Sequence, residues 1–337
     1  MKTNKLPVAA SEPVDVVIAW VDGSDPQLAE KRNRYMGKSD LPVSSGAHFT
    51  RFASSNEIRY CVLSVLRFAP FVRNIFIVTD GQNPGLHDDV ETYFPGRSAS
   101  VRIVDHKEIF RDYEEFLPTF NSITIANMIW RISGLSDNFV YFNDDTFLVR
   151  SITPGEWFTG GRPVLRGRWV PSAGPRVFWN RIRTAFNRYL IGRRDFEPRA
   201  SFHLGQWNSA ALLGFRYRYF TNSHTPHPVN RLSVEEFFMK NDALLRENIS
   251  YRFRDHRQFT FISLANHLQL LSGTRNIAPP AVAYVKPENR GPGYIVSKIA
   301  LCERDPRIIY MCAQSLDMCE EEERRRLFSW LDGILRL

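Results

Sequence analysis

Cysteine is scarce in this chain: four among 337 residues, at positions 61, 302, 312 and 319. None stands in a CxxC pair, which argues against a zinc ribbon or a dithiol redox centre. They read as reduced thiols of a cytoplasmic protein, although spacing alone leaves a disulfide among the last three open. Long apolar runs are also lacking. None approaches the roughly 20 residues that a membrane-spanning helix needs. Met1 to Pro13 holds two lysines and no apolar stretch, so no secretory signal is read there and 1–13 is expected to be a flexible tail. Internal repeats, low-complexity linkers and nucleic-acid-binding motifs are absent, so nucleic acid is not expected as a partner.

Positive charge is abundant. The formal net charge of +8 fits an anionic partner such as a sugar nucleotide or an acidic membrane face. The excess is uneven: 162–199 holds ten arginines and no lysine, opposed only by Asp195 and Glu197.

The first half alternates strand and helix signals. Val14 to Val21 reads as a strand closed by an Asp-Gly-Ser-Asp-Pro turn. Ser54 and Glu57 form a capping box for a helix ending near Phe68. Ile75 to Thr79 and Val101 to Val104 are further strands, and a helix is expected from Ser122 to Ile132. Phe139 to Phe142 is a fourth strand, ending in Asn143, Asp144 and Asp145. Strands separated by helices imply right-handed crossovers and a Rossmann-like, mostly parallel α/β sheet. Its strand ends would share one rim, bringing Asp22, Asp80, Asp105 and Asp144-Asp145 to one crevice. Two adjacent acids cannot both face an apolar layer, so the pair belongs where the strand leaves the core. Two hard oxygen ligands there suit Mg²⁺ or Mn²⁺ carrying a phosphorylated substrate; a solvated turn is the alternative.

The second half reads as largely helical. Helices are expected over Pro175 to Ile191, from a Ser233/Glu236 capping box to about Leu245, over Gln258 to Leu271, and over Glu320 to Leu335. One catalytic domain is expected over 14–337. It comprises an α/β half (14–150), an arginine-rich insertion (151–200) and a half completing the site (201–337).

Several segments together resemble the Stealth family of sugar-phosphate transferases. The first is Asp15-Val-Val-Ile-Ala-Trp-Val-Asp-Gly-Ser-Asp-Pro26. A second block runs from Asn56-Glu-Ile-Arg-Tyr60 through Asn74-Ile-Phe-Ile-Val-Thr-Asp-Gly-Gln82, Leu117-Pro-Thr-Phe-Asn-Ser122 and Arg131-Ile-Ser-Gly-Leu135 to Tyr141-Phe-Asn-Asp-Asp145. A third holds His224-Thr-Pro-His227, Arg231 and Phe253-Arg254. The blocks follow the family's order; no motif of the family falls in 162–199.

The resemblance implies a GT-A-like fold and transfer of a sugar 1-phosphate from a UDP-sugar, such as a UDP-N-acetylhexosamine, to a hydroxyl. The acceptor would be a saccharide or a lipid-linked saccharide in capsule or cell-surface polysaccharide synthesis. It implies Asp144 and Asp145 as metal ligands, with Asp145 in the catalytic centre. His224 is expected as general base and Arg254 as a phosphate clamp. The turn of Trp20, Asp22, Gly23, Ser24 and Asp25 would hold the nucleotide. Arg59, Asn121, Ser122, His227 and Arg231 are further substrate-binding candidates. Capping alone would also explain Asn121 and Ser122. A zinc site at the two histidines lacks further ligands at suitable spacing.

Within Pro175 to Ile191, Phe178, Ile182, Ala185, Phe186 and Tyr189 share one helical face, while Arg176, Arg181, Arg183 and Arg188 lie elsewhere. A basic amphipathic helix reads as a surface element for anionic lipid or polymer, with peripheral contact at the inner membrane; packing on the core is the alternative. Two rival functions stand: a glycosyltransferase of similar fold that releases UDP, and a non-enzymatic binder of acidic polysaccharide.

Overall fold

Apolar runs and intervening helices build one central sheet in a computed structural model that describes residues 12–36, 56–192, 200–288 and 290–337. β1 (Val14–Ala19) turns into α1 (Pro26–Met36). α2 (Glu57–Phe68) leads to β2 (Val72–Thr79), and α3 (His87–Tyr93) to β3 (Val101–Asp105). α4 (His106–Ile109) and α5 (Ser122–Ala126) precede β4 (Asn138–Asn143). Then come the short β5 (Thr146–Leu148), β6 (Phe158–Thr159) and β7 (Arg162–Pro163). β8 (Leu165–Pro171), α6 (Gly174–Tyr189), α7 (Phe202–Leu212), β9 (Arg218–Asn222) and β10 (His227–Asn230) follow. The chain continues through α8 (Arg231–Lys240), α9 (Asp242–Ile249), α10 (Phe261–Leu271), β11 (Ile277–Ala278) and β12 (Val282–Val285). It closes with α11 (Tyr294–Arg304), β13 (Tyr310–Ala313) and α12 (Glu321–Leu335).

The central sheet has the order β10-β4-β1-β2-β3. β1 to β4 run parallel and β10 is an antiparallel edge. Both faces of β1 are covered: Val16 and Ile18 join one apolar cluster, Val17 the other. That explains its nearly continuous apolar sequence. Strand order reverses between β1 and β4, which opens a crevice at their carboxyl ends. Ala19 pairs with Asn143, so Trp20 and Asp144 leave the sheet at the same height.

Asp15 breaks the apolar run of β1 and is fully buried. Arg73 binds it through Nε at 2.9 Å and Nη2 at 2.5 Å, and the backbone N–H groups of Asn74 and Ser136 donate to it. This pair lies at the end of the sheet opposite the crevice.

Local chemistry moved several expected boundaries. α5 ends at Ala126: the Asn127 N–H and side chain both donate to the Ile123 carbonyl, at 3.1 and 2.8 Å, the Met128 N–H turns to the Ile125 carbonyl at 2.9 Å, and a 3₁₀ turn, Ile129–Arg131, follows. Asn230, not Ser233, caps α8, accepting from the Ser233 N–H at 3.0 Å. Asn241 separates α8 from α9. Ser54 and residues 1–11 and 193–199 lie outside the described residues; α2 begins behind Asn56. The later half adds short strands to its helices. β12, β13 and β5 form one small sheet, and β11, β8 and β9 another. All four cysteines are free.

Candidate active site

Asp144 and Asp145 form the tight corner at which the chain leaves β4 and enters β5, a strand of a different sheet. Both are half-buried. The Ala313 N–H donates to the Asp145 carbonyl at 2.8 Å, and Thr146 Oγ1 to its carboxylate at 3.2 Å. Cys312 and Gln314 also bond the Asp145 carboxylate. Strand β13 therefore braces the corner. Burial pushes the Asp145 carboxyl up against the pull of these bonds. Burial, then repulsion from Asp145 and Glu57, raises the Asp144 carboxyl well above the usual range.

Such crowded negative charge is relieved by a dication. Among the described residues no three His, Cys, Asp or Glu side chains form a metal cage. The donor set is thus a carboxylate pair, which fits Mg²⁺ or Mn²⁺ completed by phosphate and water oxygens.

The later half meets the acids across two tyrosines. Tyr141, on β4, lies in the field of Asp144, Arg254 and Asp145. Tyr284, on β12, accepts from the His224 backbone N–H at 3.1 Å and lies in the field of Asp145. His224 stacks on Phe202, with ring centroids 4.6 Å apart. Burial, then Lys286, Arg254 and His203, lowers its pKa, so the imidazole is neutral at neutral pH. Arg254 donates from Nη2 to Ser122 Oγ at 2.5 Å. Asp144, Asp145, His224, Arg254 and Ser122 thus form one neighbourhood.

On the β1 side, Asp22 Oδ1 accepts from the Ser24 N–H at 2.9 Å and Oγ at 2.6 Å. Gln82 exchanges two bonds with the Asp22 backbone and donates to Asp25 Oδ2 at 2.8 Å. Gly23 is buried inside this turn. Trp20 packs its ring in the core, and its indole Nε1–H is buried with no hydrogen-bond partner among the described residues.

Five residues expected to touch substrate are engaged or buried within the fold. Asp25 Oδ1 accepts from the Gln27 N–H at 2.8 Å, capping α1. Asn121 is fully buried: its oxygen caps α5 at Ile123, while its nitrogen donates to Tyr251 and Gln258. Arg59 forks onto Asp89 at 2.8 Å. Two residues after Glu57, it points to another side of the helix. His227 pairs opposite Tyr141 and is buried; burial lowers its pKa to about 3. Arg231 pairs with Asp137 at 2.5 Å, before β4 begins. At ~3.3 Å per residue, that is a whole strand away from the acid pair.

The expected row of acids is also shorter than the shared rim suggested. Asp80 binds Lys31 at 2.6 Å and Asp105 caps α4 through the Lys107 N–H. Glu57, read from sequence as a capping acid whose partner Ser54 lies outside the described residues, is buried at the start of α2, where its charge raises the Asp144 carboxyl. Its place at the head of an apolar helix was the available signal. Tyr284 and Tyr141 gave none, since each reads as an ordinary strand aromatic.

Two family models match the chain: Stealth protein CR1, conserved region 1, over residues 12–40, and Stealth protein CR2, conserved region 2, over 51–164. An exopolysaccharide phosphotransferase of Streptomyces coelicolor is 33% identical over 291 residues, 84% of this chain and 28% of the relative. A capsular polysaccharide phosphotransferase of Streptococcus pneumoniae is 28% identical over 299 residues, 83% of this chain and 85% of the relative. The chain thus spans under a third of the first relative and most of the second. The glycosyltransferase GlyE of Streptococcus pneumoniae superposes with a TM-score of 0.39 and 8% identity, over 96% of this chain and 62% of that one. At that level the structural likeness is loose.

Proposed function

Since the chain belongs to the Stealth family, we propose that it transfers a sugar 1-phosphate from a UDP-sugar to a saccharide hydroxyl and releases UMP. The observation that carries this reading is the meeting of the Asp144-Asp145 corner with His224 and Arg254 across Tyr141 and Tyr284. The polysaccharide phosphotransferase names of its relatives support the same class of reaction.

The acceptor oxygen attacks the phosphorus that carries the sugar. One P–O bond forms to the acceptor, and the P–O bond to UMP breaks. The sugar's own C–O bond is untouched, so anomeric configuration is retained. His224, kept neutral by burial and cationic neighbours, takes the acceptor's proton at a ring nitrogen. Arg254, braced by Ser122, stabilises charge on the equatorial oxygens. Asp144 and Asp145 would hold the divalent ion, whose chemistry is to neutralise the diphosphate. The turn at Asp22 and Ser24, beside the acids across the switch crevice, is the seat proposed for the nucleotide.

The test is incubation with UDP-N-acetylhexosamines and other UDP-sugars, Mg²⁺ and saccharide primers. Phosphorus NMR of the product and identification of the nucleotide give the readout. A phosphodiester with UMP is expected; UDP with a plain glycoside would replace this reading with glycosyl transfer.

A further inference from the structure

α6 is turned inside out. At about 100° per residue, Phe178, Trp179, Ile182, Phe186, Tyr189 and Leu190 fall within a stripe roughly 120° wide. An ordinary surface helix buries such a stripe. Here it faces outward: Phe178 is 61%, Trp179 66% and Tyr189 86% exposed. The side toward the protein carries Val177, Asn180, Thr184 and Asn187. Val177 packs on the small cluster of Leu204, Trp207, Ala210 and Tyr219, and Asn187 is buried.

Charge completes the pattern. Arg176 and Arg183 border one side of the stripe by their helical positions, whereas Arg188 lies beyond its other side, next to the inward Val177. No acidic residue occurs from 162 to 192. An aromatic stripe bordered by arginines matches a bilayer interface, where rings enter the headgroup–acyl boundary while guanidinium groups stay with phosphates. A second copy of this chain fits less well, because apposed stripes would bring arginines against arginines.

We propose that α6 seats the protein on an anionic phospholipid surface, its aromatic stripe entering the interface and its arginines holding lipid phosphates. The proposal does not depend on the transferase reading, since its readout needs no turnover.

The experiment is co-sedimentation of the full chain with vesicles of phosphatidylcholine alone, or mixed with phosphatidylglycerol. Binding to the mixed vesicles is expected, and at least about tenfold weaker binding to neutral ones. Replacing Phe178, Trp179 and Phe186 together by Ser should weaken anionic binding about tenfold or more. Arg176→Glu with Arg183→Glu should abolish the preference for phosphatidylglycerol. Melting curves like that of the parent protein would certify that these exposed changes leave the fold intact. No binding to either vesicle, equal binding to both, or variants that bind like the parent would overturn the proposal. So would a dimer, seen by light scattering, that the triple Ser variant dissociates.

Discussion

The phenol of Tyr284 accepts a hydrogen bond from the backbone N–H of His224 at 3.1 Å. A strand from the last quarter of the chain thereby holds the loop of the proposed base, and the same ring stands near Asp145. Removing the hydroxyl deletes an acceptor worth about 1 kcal/mol. Tyr284→Phe should therefore lower kcat roughly five- to tenfold with little change in KM, since Tyr284 positions rather than reacts. Steady-state kinetics decide; an unchanged kcat would remove this role.

His224 should govern the acid limb of the pH–rate profile. Burial and nearby cations lower its pKa below the ordinary 6.5. The base therefore remains unprotonated at neutral pH, and activity should fall only as pH drops below that value. His224→Ala should cost about 10²- to 10⁴-fold in kcat and erase this limb. A limb centred above 6.5, or one that survives the substitution, would assign the proton to another group.

Asp144 should oppose stability while serving the site. Its folded pKa lies well above the ordinary 3.8. The folded state then binds more protons than the unfolded one, so this group's contribution falls as pH rises from 3.8 through the folded value. In metal-free protein, Asp144→Asn should raise the melting temperature at neutral pH, by about 2 °C per kcal/mol relieved. It should also cut turnover by about a hundredfold or more. Thermal melts across pH give the check: a variant melting below the parent at neutral pH contradicts the repulsion.

Arg231 and Asp15 should be separable from catalysis. Arg231→Ala breaks partly exposed pairs with Asp137 and Glu235, worth about 1 kcal/mol or less. Both kinetic constants should stay within about twofold of the parent. Asp15→Ala strips the partner from Arg73 and two backbone N–H groups at a buried position. It should cost about 3–5 kcal/mol in urea unfolding. A large kinetic defect in a well-folded Arg231→Ala protein would return that arginine to the site.

Periodicity and strand-end chemistry made the β1 to β4 framework and the acid pair closing β4 legible in the sequence, because alternation and apolar runs are local properties. The capping reading of Asn121 and the turn at Asp22–Asp25 were legible for the same reason. Register was not. That Trp20 leaves the sheet level with Asp144, while Arg231 sits at the far end of β4, follows from pairings between strands distant in sequence, Ala19 with Asn143 and Asn230 with Asn138. Nor could the helix pattern say which side chains turn inward. Glu57 faces Asp144 and Arg59 faces Asp89 on one helix, and α6 directs its aromatic stripe away from the core. Local sequence determines which residues share a face; what covers that face depends on distant elements packing against it.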